Sequence, residues 1–520
     1  MDNDIIIFAK AAIFFESNDI DKFEEAIQKD GGEEKHLTKI LNEISSKCKL
    51  WHDAELKAYA TFENGKHTEN WPIDSKIFKE WIGYVVYKTP QLKIGALGKT
   101  QLEEVCSCLS AHAKFDGMEF PIAKRVAKVG QTYFIDICNP DWQCIEVSSK
   151  GWKILDKPPT KAVDKGHSSG RVPLFKFIRS ANARPLPLPI VDGSLKHLFE
   201  LTNIPESDHL LVLAWMLECF RPDTPYPVLE ITGEQGSAKS TTQEVLRCFI
   251  DPNRVMLRAR PKSVEDVYVA AVNSHLISFE NLSGLSPEMS DALCVIATGG
   301  GFAARTLYTN TEETVLSAHA PIILNGINQI ATRPDLIDRV ISIDLPVITQ
   351  RIDENEHQKK LEELSPSIFG GILDLFSKTL EILPSIDIDP EKLPRMADFT
   401  KLGEAMSQTM GNHPGTFLNL YIERRKESVL NILDSSPVAK AITGFVNSEK
   451  SHVGTVADLL GRLNSEVRGF FEEDTLWPKS ARGLANEMRR LAPALRQLGI
   501  VCEVTKRKRD GVWCEVKKCK

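Results

Sequence analysis

The stretch YPVLEITGEQGSAKSTTQEVLRCFI, residues 226–250, decides the fold. A strand-like apolar run, VLEIT, leads into a glycine-rich turn, and a run with helical apolar spacing follows. Small residues in such a turn let backbone N–H groups point inward at phosphates, and the start of the helix adds its positive dipole end. The layout predicts a phosphate-binding loop in an α/β domain.

The loop departs at one position from the pattern G-x-x-x-x-G-K-[ST], because Ala238 stands where the pattern has glycine. Alanine tolerates a positive φ poorly, but Gly236 lies nearby and a methyl group is small. Lys239 is expected to reach the β- and γ-phosphates of ATP, and the Ser240 hydroxyl to hold Mg²⁺. A chance glycine-rich turn is the alternative. The predicted ATP-binding residues are Gly233, Glu234, Gln235, Gly236, Ser237, Ala238, Lys239, Ser240 and Thr241.

A second strand-like run, HLISFEN (275–281), ends in an acid. Glu280 in this position can bind Mg²⁺ directly or through water, and can polarise the attacking water. Asn281 follows it, so either Glu280 serves as both ligand and base or Asn281 positions the water. A buried strand that ends in Glu by chance is the alternative.

A third strand-like run, APIILNGI, ends in Asn325, whose amide can hydrogen-bond the γ-phosphate or the lytic water. By residue type alone, Asn325 could equally be a turn former at a strand end. Arg333 and Arg339 then flank a short helix-like segment. We favour Arg339, with Arg333 second, as an arginine finger that reaches a neighbouring subunit's nucleotide. A surface ion pair is the alternative for each arginine.

Composition excludes several classes of protein. The 520 residues are 42% hydrophobic and 26% charged, as in soluble globular proteins of about three domains. No apolar run approaches the roughly 18 residues of a membrane span, and the acidic start MDND does not resemble an export signal. Eleven cysteines without a CxxC pair fit reduced thiols. We therefore expect a cytoplasmic protein with no membrane partner.

Charge is distributed unevenly along the chain. The net charge is −7, but residues 479–520 hold 12 Lys and Arg against 4 Asp and Glu. An acidic body with a basic tail predicts one module that faces nucleic acid. A solvated basic tail is the alternative.

The order of these elements resembles the AAA+ core of superfamily-three helicases. More specifically, GEQGSAKST, ENLSGLSPEMSDALCVIATGGGFAARTLYT, LNGINQIATRPDLIDR and LPRMADF resemble ATP-binding proteins of phages and mobile elements. Those proteins are usually regarded as replication helicases or primase-helicases. The resemblance covers about residues 51–518 and implies a ring of six subunits that uses ATP and Mg²⁺. Many AAA+ proteins carry Asp-Glu where this chain has Glu280-Asn281.

The resemblance gives meaning to residues 283–315. Ser286 is a predicted N-cap with Pro287 at the first helical position, and GFAARTLYTNTEETVL predicts two strands around a polar turn. In the family, the corresponding hairpin grips single-stranded DNA in the central channel. Arg305 and Tyr308 are the matching candidates, one for phosphate and one for stacking. A purely structural hairpin is the alternative.

The last segment predicts a winged helix. Three helix-like stretches precede VCEVTKRKRDGVWCEVKK, which alternates around the turn signal Asp510-Gly511. The third helix and the hairpin suit a major groove and phosphates, respectively. A winged helix used only for subunit contacts is the alternative. The candidate DNA-binding residues are Lys479, Arg482, Arg489, Arg490, Lys506, Arg507, Lys508 and Arg509.

The predicted fold class is therefore α/β: a P-loop AAA+ core with a mixed α+β N-terminal region and a C-terminal winged helix. The predicted domains are an accessory region at 1–175 (helical, then a small β-meander), a Pro-rich linker at 176–194, the ATPase core at 195–435 and the winged helix at 436–520. The predicted function is an ATP-dependent DNA helicase for replication of a phage or mobile element, with a primase as a further partner. The alternatives are a nucleotide-switched DNA-binding regulator or defence ATPase, and a helicase loader.

Overall fold

The structure is a computed structural model that describes most of the chain. The described residues are 37–92, 97–165, 168–305, 313–349, 352–448, 450–466, 477–508 and 511–518. Tyr308 and Arg509, two of the predicted DNA-binding residues, lie outside them.

The described residues form both helices and strands. The helices are α1 (37–47), α2 (Lys76–Lys88), α3 (Lys99–Phe115), α4 (His209–Glu218), α5 (Lys239–Ile250), α6 (Val264–Asn273), α7 (Pro287–Thr298), α8 (Pro334–Ile337), α9 (Glu354–Ile382), α10 (Ala397–Thr409), α11 (Thr416–Ser435), α12 (Pro437–Asn447), α13 (Val456–Glu466) and α14 (Ala481–Gln497). The strands are β1 (Cys48–His52), β2 (Ala58–Asn64), β3 (His67–Pro72), β4 (Met118–Glu119), β5 (Ile122–Ala123), β6 (Val126–Val129), β7 (Thr132–Asp136), β8 (Cys144–Ser148), β9 (Gly151–Leu155), β10 (Thr160–Lys165), β11 (Ser168–Pro173), β12 (Lys176–Phe177), β13 (Val228–Thr232), β14 (Ile277–Phe279), β15 (Gly300–Arg305), β16 (Glu313–Ala318), β17 (Ile322–Asn325), β18 (Val340–Asp344), β19 (His452–Thr455), β20 (Ile500–Lys508) and β21 (Gly511–Lys518). Within the described residues, no helix is both long and apolar enough to cross a membrane.

The chain folds into two compact units. The first comprises the described residues within 1–122 and 159–178, and the second those within 123–158 and 179–520. The grouping differs from the predicted accessory region, because the four-stranded antiparallel meander β6-β7-β8-β9 belongs to the second unit. Its apolar face joins the core there, where the Tyr133 and Phe376 rings lie 5.3 Å apart. The functional domain boundaries remain a prediction.

A four-stranded sheet of order β3-β2-β1-β4 is the centre of the first unit. Strand β1 pairs antiparallel with β2 and parallel with β4. Helix α2 begins at Ser75, whose hydroxyl accepts a hydrogen bond from the Phe78 amide, and it buries Phe78, Ile82, Val85 and Val86. The sequence pattern did not indicate this sheet, since polar residues interrupt its apolar positions.

A four-stranded parallel sheet of order β14-β17-β13-β18 organises the second unit. Successive side chains of a strand point to opposite faces of the sheet. Leu229 and Ile231 of β13 therefore lie on one face, where they join the same apolar core as the buried side of α5. Val228 packs with α6 and α7 on the other face. The predicted mixed α/β fold with a parallel sheet is confirmed.

In the described parts of the segment between β14 and β17, a capped helix and two strands form as the sequence predicts. The Ser286 hydroxyl caps α7 by accepting from the Met289 amide, and Gly299 ends the helix in the left-handed region at φ 81°. Strands β15 and β16 then pair antiparallel, with Arg305 opposite Glu313.

The Pro-rich segment is held along the second unit by backbone hydrogen bonds. The Leu186 amide donates to Ile137 O, and the Ile190 amide donates to Pro366 O in α9. The close approach to α9 requires glycine at Gly193, since a Cβ there would lie 2.2 Å from Ser367 O. This part of the extended chain is therefore fixed in place on its own unit.

The last residues build a small helical and β cluster. Helices α12, α13 and α14 share one apolar core with an antiparallel sheet of order β19-β21-β20. Strand β19 was not predicted. Helix α14 continues through Pro493, a residue type that usually bends or ends a helix.

Candidate nucleotide site and nucleic-acid surfaces

The loop between β13 and α5 has the backbone that a phosphate-binding loop needs. Gly233 has φ 143°, Gly236 has φ 87° and Ala238 has φ 57°. A Cβ on Gly233 would lie 2.6 Å from Leu345 O, so this position requires glycine. Ala238 itself adopts the left-handed conformation at the N-cap of α5. The sequence pattern has glycine there for this backbone reason, and the alanine accepts a strained conformation.

Lys239 is the first residue of α5, and its side chain reaches back across the loop. The ammonium donates to Gly233 O at 2.9 Å and to Glu234 O at 2.7 Å. Partial burial lowers the pKa of Lys239, while the carboxylate of Asp344 acts in the opposite direction. The ammonium therefore lies among loop carbonyl groups that a phosphate could replace as its partners.

Ser240 and Glu280 come together although they are far apart in the chain. The Ser240 hydroxyl donates to Oε2 of Glu280 at 3.3 Å. Magnesium prefers oxygen ligands at about 2.0–2.1 Å in octahedral geometry, which places neighbouring ligand oxygens about 2.9 Å apart. The observed separation therefore fits two oxygens that share one Mg²⁺, directly or with one bound through water.

Asn325 is fully buried at the end of β17, beside the Ser240 and Glu280 pair. Its amide nitrogen donates to Oε1 of Gln243 at 2.6 Å, and its oxygen accepts from the Asn281 amide at 2.8 Å. The Gln243 amide in turn donates to Ser278 Oγ at 2.7 Å. These bonds lock the carboxyl ends of β14 and β17 to helix α5. The predicted contact of Asn325 with phosphate or water remains a prediction.

Sequence reasoning missed Gln243, Asn203 and Glu244. Asn203 braces the loop, because its amide nitrogen donates to Ser237 O at 3.1 Å and to Pro346 O at 2.5 Å. Partial burial raises the pKa of Glu244, one turn after Ser240, and the charge of Glu280 raises it further. Of these three residues, Gln243 could have been noticed in the sequence, because it is a polar residue on the apolar face of α5.

Arg333 and Arg339 flank α8 and contact neighbouring groups of their own chain. Arg333 forms an ion pair with Asp291 at 3.1 Å, and Arg339 donates to Asp335 O. Both side chains are partly exposed. Neither contact involves the residues around Ser240.

A polar cavity of about 770 Å³ opens at the carboxyl ends of β13 and β18, lined in part by Thr232, Asp344 and Arg424. Thr232 and Asp344 lie on the sheet face opposite to the one that packs against α5. The Arg424 guanidinium lies 2.9 Å from Asp208 and 2.7 Å from Glu427. Because these carboxylates neutralise it, the cavity is a poorer place for phosphates than the loop.

Four of the predicted DNA-binding residues lie on strands. Arg305 lies at the end of β15, and Lys506, Arg507 and Lys508 lie in β20, with Arg507 paired to Val512 in β21. A register shift between Val504 and Arg507 interrupts that hairpin, which we call the C-terminal hairpin.

Helix α14 presents basic residues on its exposed face. Arg482 and Arg489 are exposed and lie seven residues apart, with Asn486 between them, while Leu484 and Met488 face the core. Lys479 is exposed just before the helix. Arg490 differs from the other arginines because it forms a 2.5 Å ion pair with Glu487. Three of the four predicted basic residues are thus available to a ligand.

Comparison with known families gives the site its context. Residues 195–415 match the family described as Actinomycete integrative conjugative element replication protein, AICE RepA. Residues 438–518 match the AICE RepA C-terminal domain. Together the two matches span more than half of the chain. The chain belongs to the AICE RepA replication proteins. The first AICE RepA match contains the phosphate loop, Glu280, Asn325 and both arginines, and the second contains α14 and the C-terminal hairpin.

Solved structures show more distant similarity. One described as "SCCmec type IV Cch - active helicase" is 13% identical, with a TM-score of 0.46, over 90% of this chain and 92% of that one. Another, an apo structure of the NrS-1 C terminal region, is 11% identical with a TM-score of 0.37, over 93% of this chain and 98% of that one. No protein with a curated description matches the chain.

Proposed function

We propose that this replication protein is an Mg²⁺- and ATP-dependent DNA helicase, with a P-loop AAA+ core and a C-terminal winged helix. The observation that carries the proposal is the 3.3 Å approach of the Ser240 hydroxyl to Glu280 beside the amino end of α5. A hydroxyl, a carboxylate and a lysine at a helix start form a site suited to a triphosphate and its metal.

The loop residues would bind the triphosphate. Backbone N–H groups of the loop and the first turn of α5 would donate to phosphate oxygens. Lys239 would exchange its bonds to Gly233 O and Glu234 O for the β- and γ-phosphates. Ser240 and Glu280 would hold Mg²⁺, which when bound neutralises charge that develops on the phosphates.

Turnover would depend on Glu280 and on the amide network behind it. Glu280 would polarise the attacking water, and Asn281 or Asn325 would orient that water. The bonds that Asn325 makes with Gln243 and with the Asn281 amide would keep this edge of the sheet rigid while ATP is cleaved. In a ring of six subunits, Arg339 would complete the neighbour's site, with Arg333 as the second candidate.

DNA would be held in two places. The hairpin β15–β16, with Arg305 and Tyr308, would move along one strand in the ring's channel. Helix α14 would enter a major groove of duplex DNA or a fork, and the C-terminal hairpin would lie on phosphates as the wing. A primase or another replication protein is a further partner in this account.

One observation favours a second candidate function. Glu280 is followed by Asn281, whose backbone amide is bonded to Asn325, so the strand end supplies one carboxylate. A site with a single acid suits a slow, nucleotide-switched regulator or defence ATPase that binds DNA without unwinding it. A helicase loader is the third candidate.

Strand displacement on a forked DNA tests the proposal. The wild type should separate the strands when ATP and Mg²⁺ are present. Glu280→Gln should still bind ATP but not displace a strand, since it loses a metal ligand and the base. Glu265→Gln on the exposed first turn of α6 is the matched control and should behave as the wild type. Slow hydrolysis that ignores DNA would favour the switch, and hydrolysis that requires a partner helicase would favour the loader.

A further inference from the structure

The first unit contains a groove that the proposed motor does not use. It has a volume of about 570 Å³ and lies between α2 and the strands β1, β2 and β3. Its lining includes Lys49, Phe62, Trp81, Tyr84 and Lys88. All of these residues belong to one compact unit, so the groove is a feature of that unit alone.

Aromatic rings form one wall of the groove. Trp81 and Tyr84 are three residues apart in α2 and therefore lie on the same side of the helix. The Trp81 ring stacks on the buried Phe62 ring at 4.3 Å with a 16° angle, which fixes its orientation. Tyr84 is 58% exposed, an unusual degree for an aromatic side chain that lines a concave surface. The wall thus offers one ring held in place by stacking, Trp81, and one exposed ring, Tyr84.

Positive charge surrounds these rings. Lys49 comes from β1 and is exposed, and the Lys88 ammonium lies 5.7 Å from the centre of the Tyr84 ring. Lys47 also lines the groove but is paired with Glu43 at 2.6 Å. Glu63 is the acidic residue in the lining. Lys49 and Lys88 therefore supply the charge that is available to a ligand.

A further lysine lies behind the groove lining. The buried Lys176 ammonium donates to Oγ1 of Thr61 at 2.6 Å, and Thr61 is itself part of the lining. Burial, together with the nearby charge of Lys49, lowers the pKa of Lys176 to about 7. A nearby anion would favour the protonated form of Lys176, so the surroundings suit a negatively charged ligand.

We propose that this groove binds single-stranded nucleic acid, with bases stacked on Tyr84 and Trp81 and phosphates beside Lys49 and Lys88. Exposed rings next to lysines are how proteins hold single strands without reading sequence. A duplex keeps the faces of its bases covered by stacking, so it offers no ring faces to this wall. The groove shares no residue with the hairpin β15–β16 or with α14, so it would be an additional nucleic-acid site.

Cross-linking locates the bound strand directly. An oligonucleotide containing 5-iodouridine would be irradiated with the full-length protein in the absence of nucleotide, and the cross-linked peptides identified by mass spectrometry. We expect cross-links to Trp81 or Tyr84. Because no ATP is present, this result does not depend on helicase activity: a chain that failed to unwind DNA could still give these cross-links.

Affinity measurements with matched variants give the second test. Tyr84→Ala combined with Lys49→Ala should weaken binding of the oligonucleotide about tenfold, in line with the loss of one stacked base and one phosphate contact. Tyr87→Ala combined with Lys66→Ala is the control, since Tyr87 is 77% exposed on the same helix but does not line the groove. All four positions are exposed, so neither variant removes a core side chain.

The salt dependence of binding separates phosphate contacts from loss of folding. Lys49→Ala combined with Lys88→Ala should reduce the slope of log affinity against log salt by about 1.4, or about 0.7 for each phosphate contact. Wild-type affinity and slope in these variants, with no cross-link in α2, would overturn the proposal and leave the groove to a protein partner.

Discussion

The Ser240 hydroxyl lies 3.3 Å from Oε2 of Glu280, although 40 positions separate the two residues in the chain. The contact arises because β13 and β14 are parallel members of one sheet with β17 between them, so their carboxyl ends open at the same edge. Helix α5 begins at that edge and carries Ser240 in its first turn. The nucleotide chemistry that we propose follows from this convergence of a strand end and a helix start.

Ala238→Gly should stabilise the second unit. Alanine at φ 57° is strained by about 1–2 kcal/mol, while glycine loses about 0.4–1 kcal/mol through its freer unfolded chain, so a net gain between about 0 and about 1.6 kcal/mol is expected. Thermal unfolding measures the change. The same exchange inside a helix, Ala492→Gly in α14, should instead cost about 1 kcal/mol. If Ala238→Gly lowered the stability as much as Ala492→Gly does, Ala238 would not be strained.

Arg339→Ala should keep ATP binding but lose turnover by about 10³-fold or more, as expected for an arginine finger. Mixing variant and wild-type subunits would show which sites are affected. Nucleotide sites that face an Arg339→Ala subunit should stay inactive even when wild-type subunits are added. Arg333→Ala is the comparison, since its ion pair with Asp291 suggests a structural contact. Full activity of Arg339→Ala would move the finger to Arg333 or remove it from the account.

Arg482→Ala combined with Arg489→Ala should weaken duplex binding and reduce its salt slope by about 1.8, since each phosphate contact contributes about 0.9. Arg490→Ala is a matched control on the same helix, because Glu487 already neutralises Arg490. Neutralising Lys506 to Arg509 should also flatten the salt dependence. If the salt slope were unchanged in the double arginine variant and in the Lys506 to Arg509 variant, as in the control, the C-terminal segment would be a structural or subunit-contact element.

Lys176→Met should change how stability depends on pH. The pKa of Lys176 is about 7 in the folded chain against about 10.5 when unfolded, so the unfolded state binds the extra proton between these values. Stability of the first unit should therefore rise with pH by up to about 1.4 kcal/mol per pH unit between about pH 7 and pH 10. In Lys176→Met this rise should disappear, and the variant should be more stable at pH 7.

Denaturant titrations read by hydrogen exchange in the β1 and β2 peptides would measure the effect in the intact chain. Lys66→Met, in the exposed turn between β2 and β3, serves as the control and should keep the pH dependence of the wild type. An identical pH profile in Lys176→Met would mean that the buried ammonium does not titrate in this range.

The sequence predicted those parts of the site whose apolar residues follow the spacing of a strand or a helix. VLEIT, the glycine-rich turn and the apolar face of α5 all pointed to one arrangement, and the ends of two later strands indicated Glu280 and Asn325. Asn203 and Gln243 were missed because each is a polar residue whose partners come from distant segments. Nothing in the local pattern of Asn203 indicates that it holds Ser237 O and Pro346 O.

The first unit was less predictable for a related reason. Strands β1, β2 and β3 read CKLWH, AYATFEN and HTENWP, in which charged and polar residues obscure the alternation of a half-buried sheet. Their burial depends on α2 and α3, so the pattern becomes clear only once these helices are in place. The same holds for β19, a four-residue strand that forms by pairing with β21.

Steady-state ATP hydrolysis with and without single-stranded DNA tests the central claim most directly, with Lys239→Ala as the inactive control. The account predicts that the wild type hydrolyses ATP with Mg²⁺, that single-stranded DNA strongly stimulates the rate, and that Lys239→Ala abolishes it. Hydrolysis that is indifferent to DNA would contradict the helicase proposal and favour a switch or a loader. Normal hydrolysis by Lys239→Ala would contradict the nucleotide site itself.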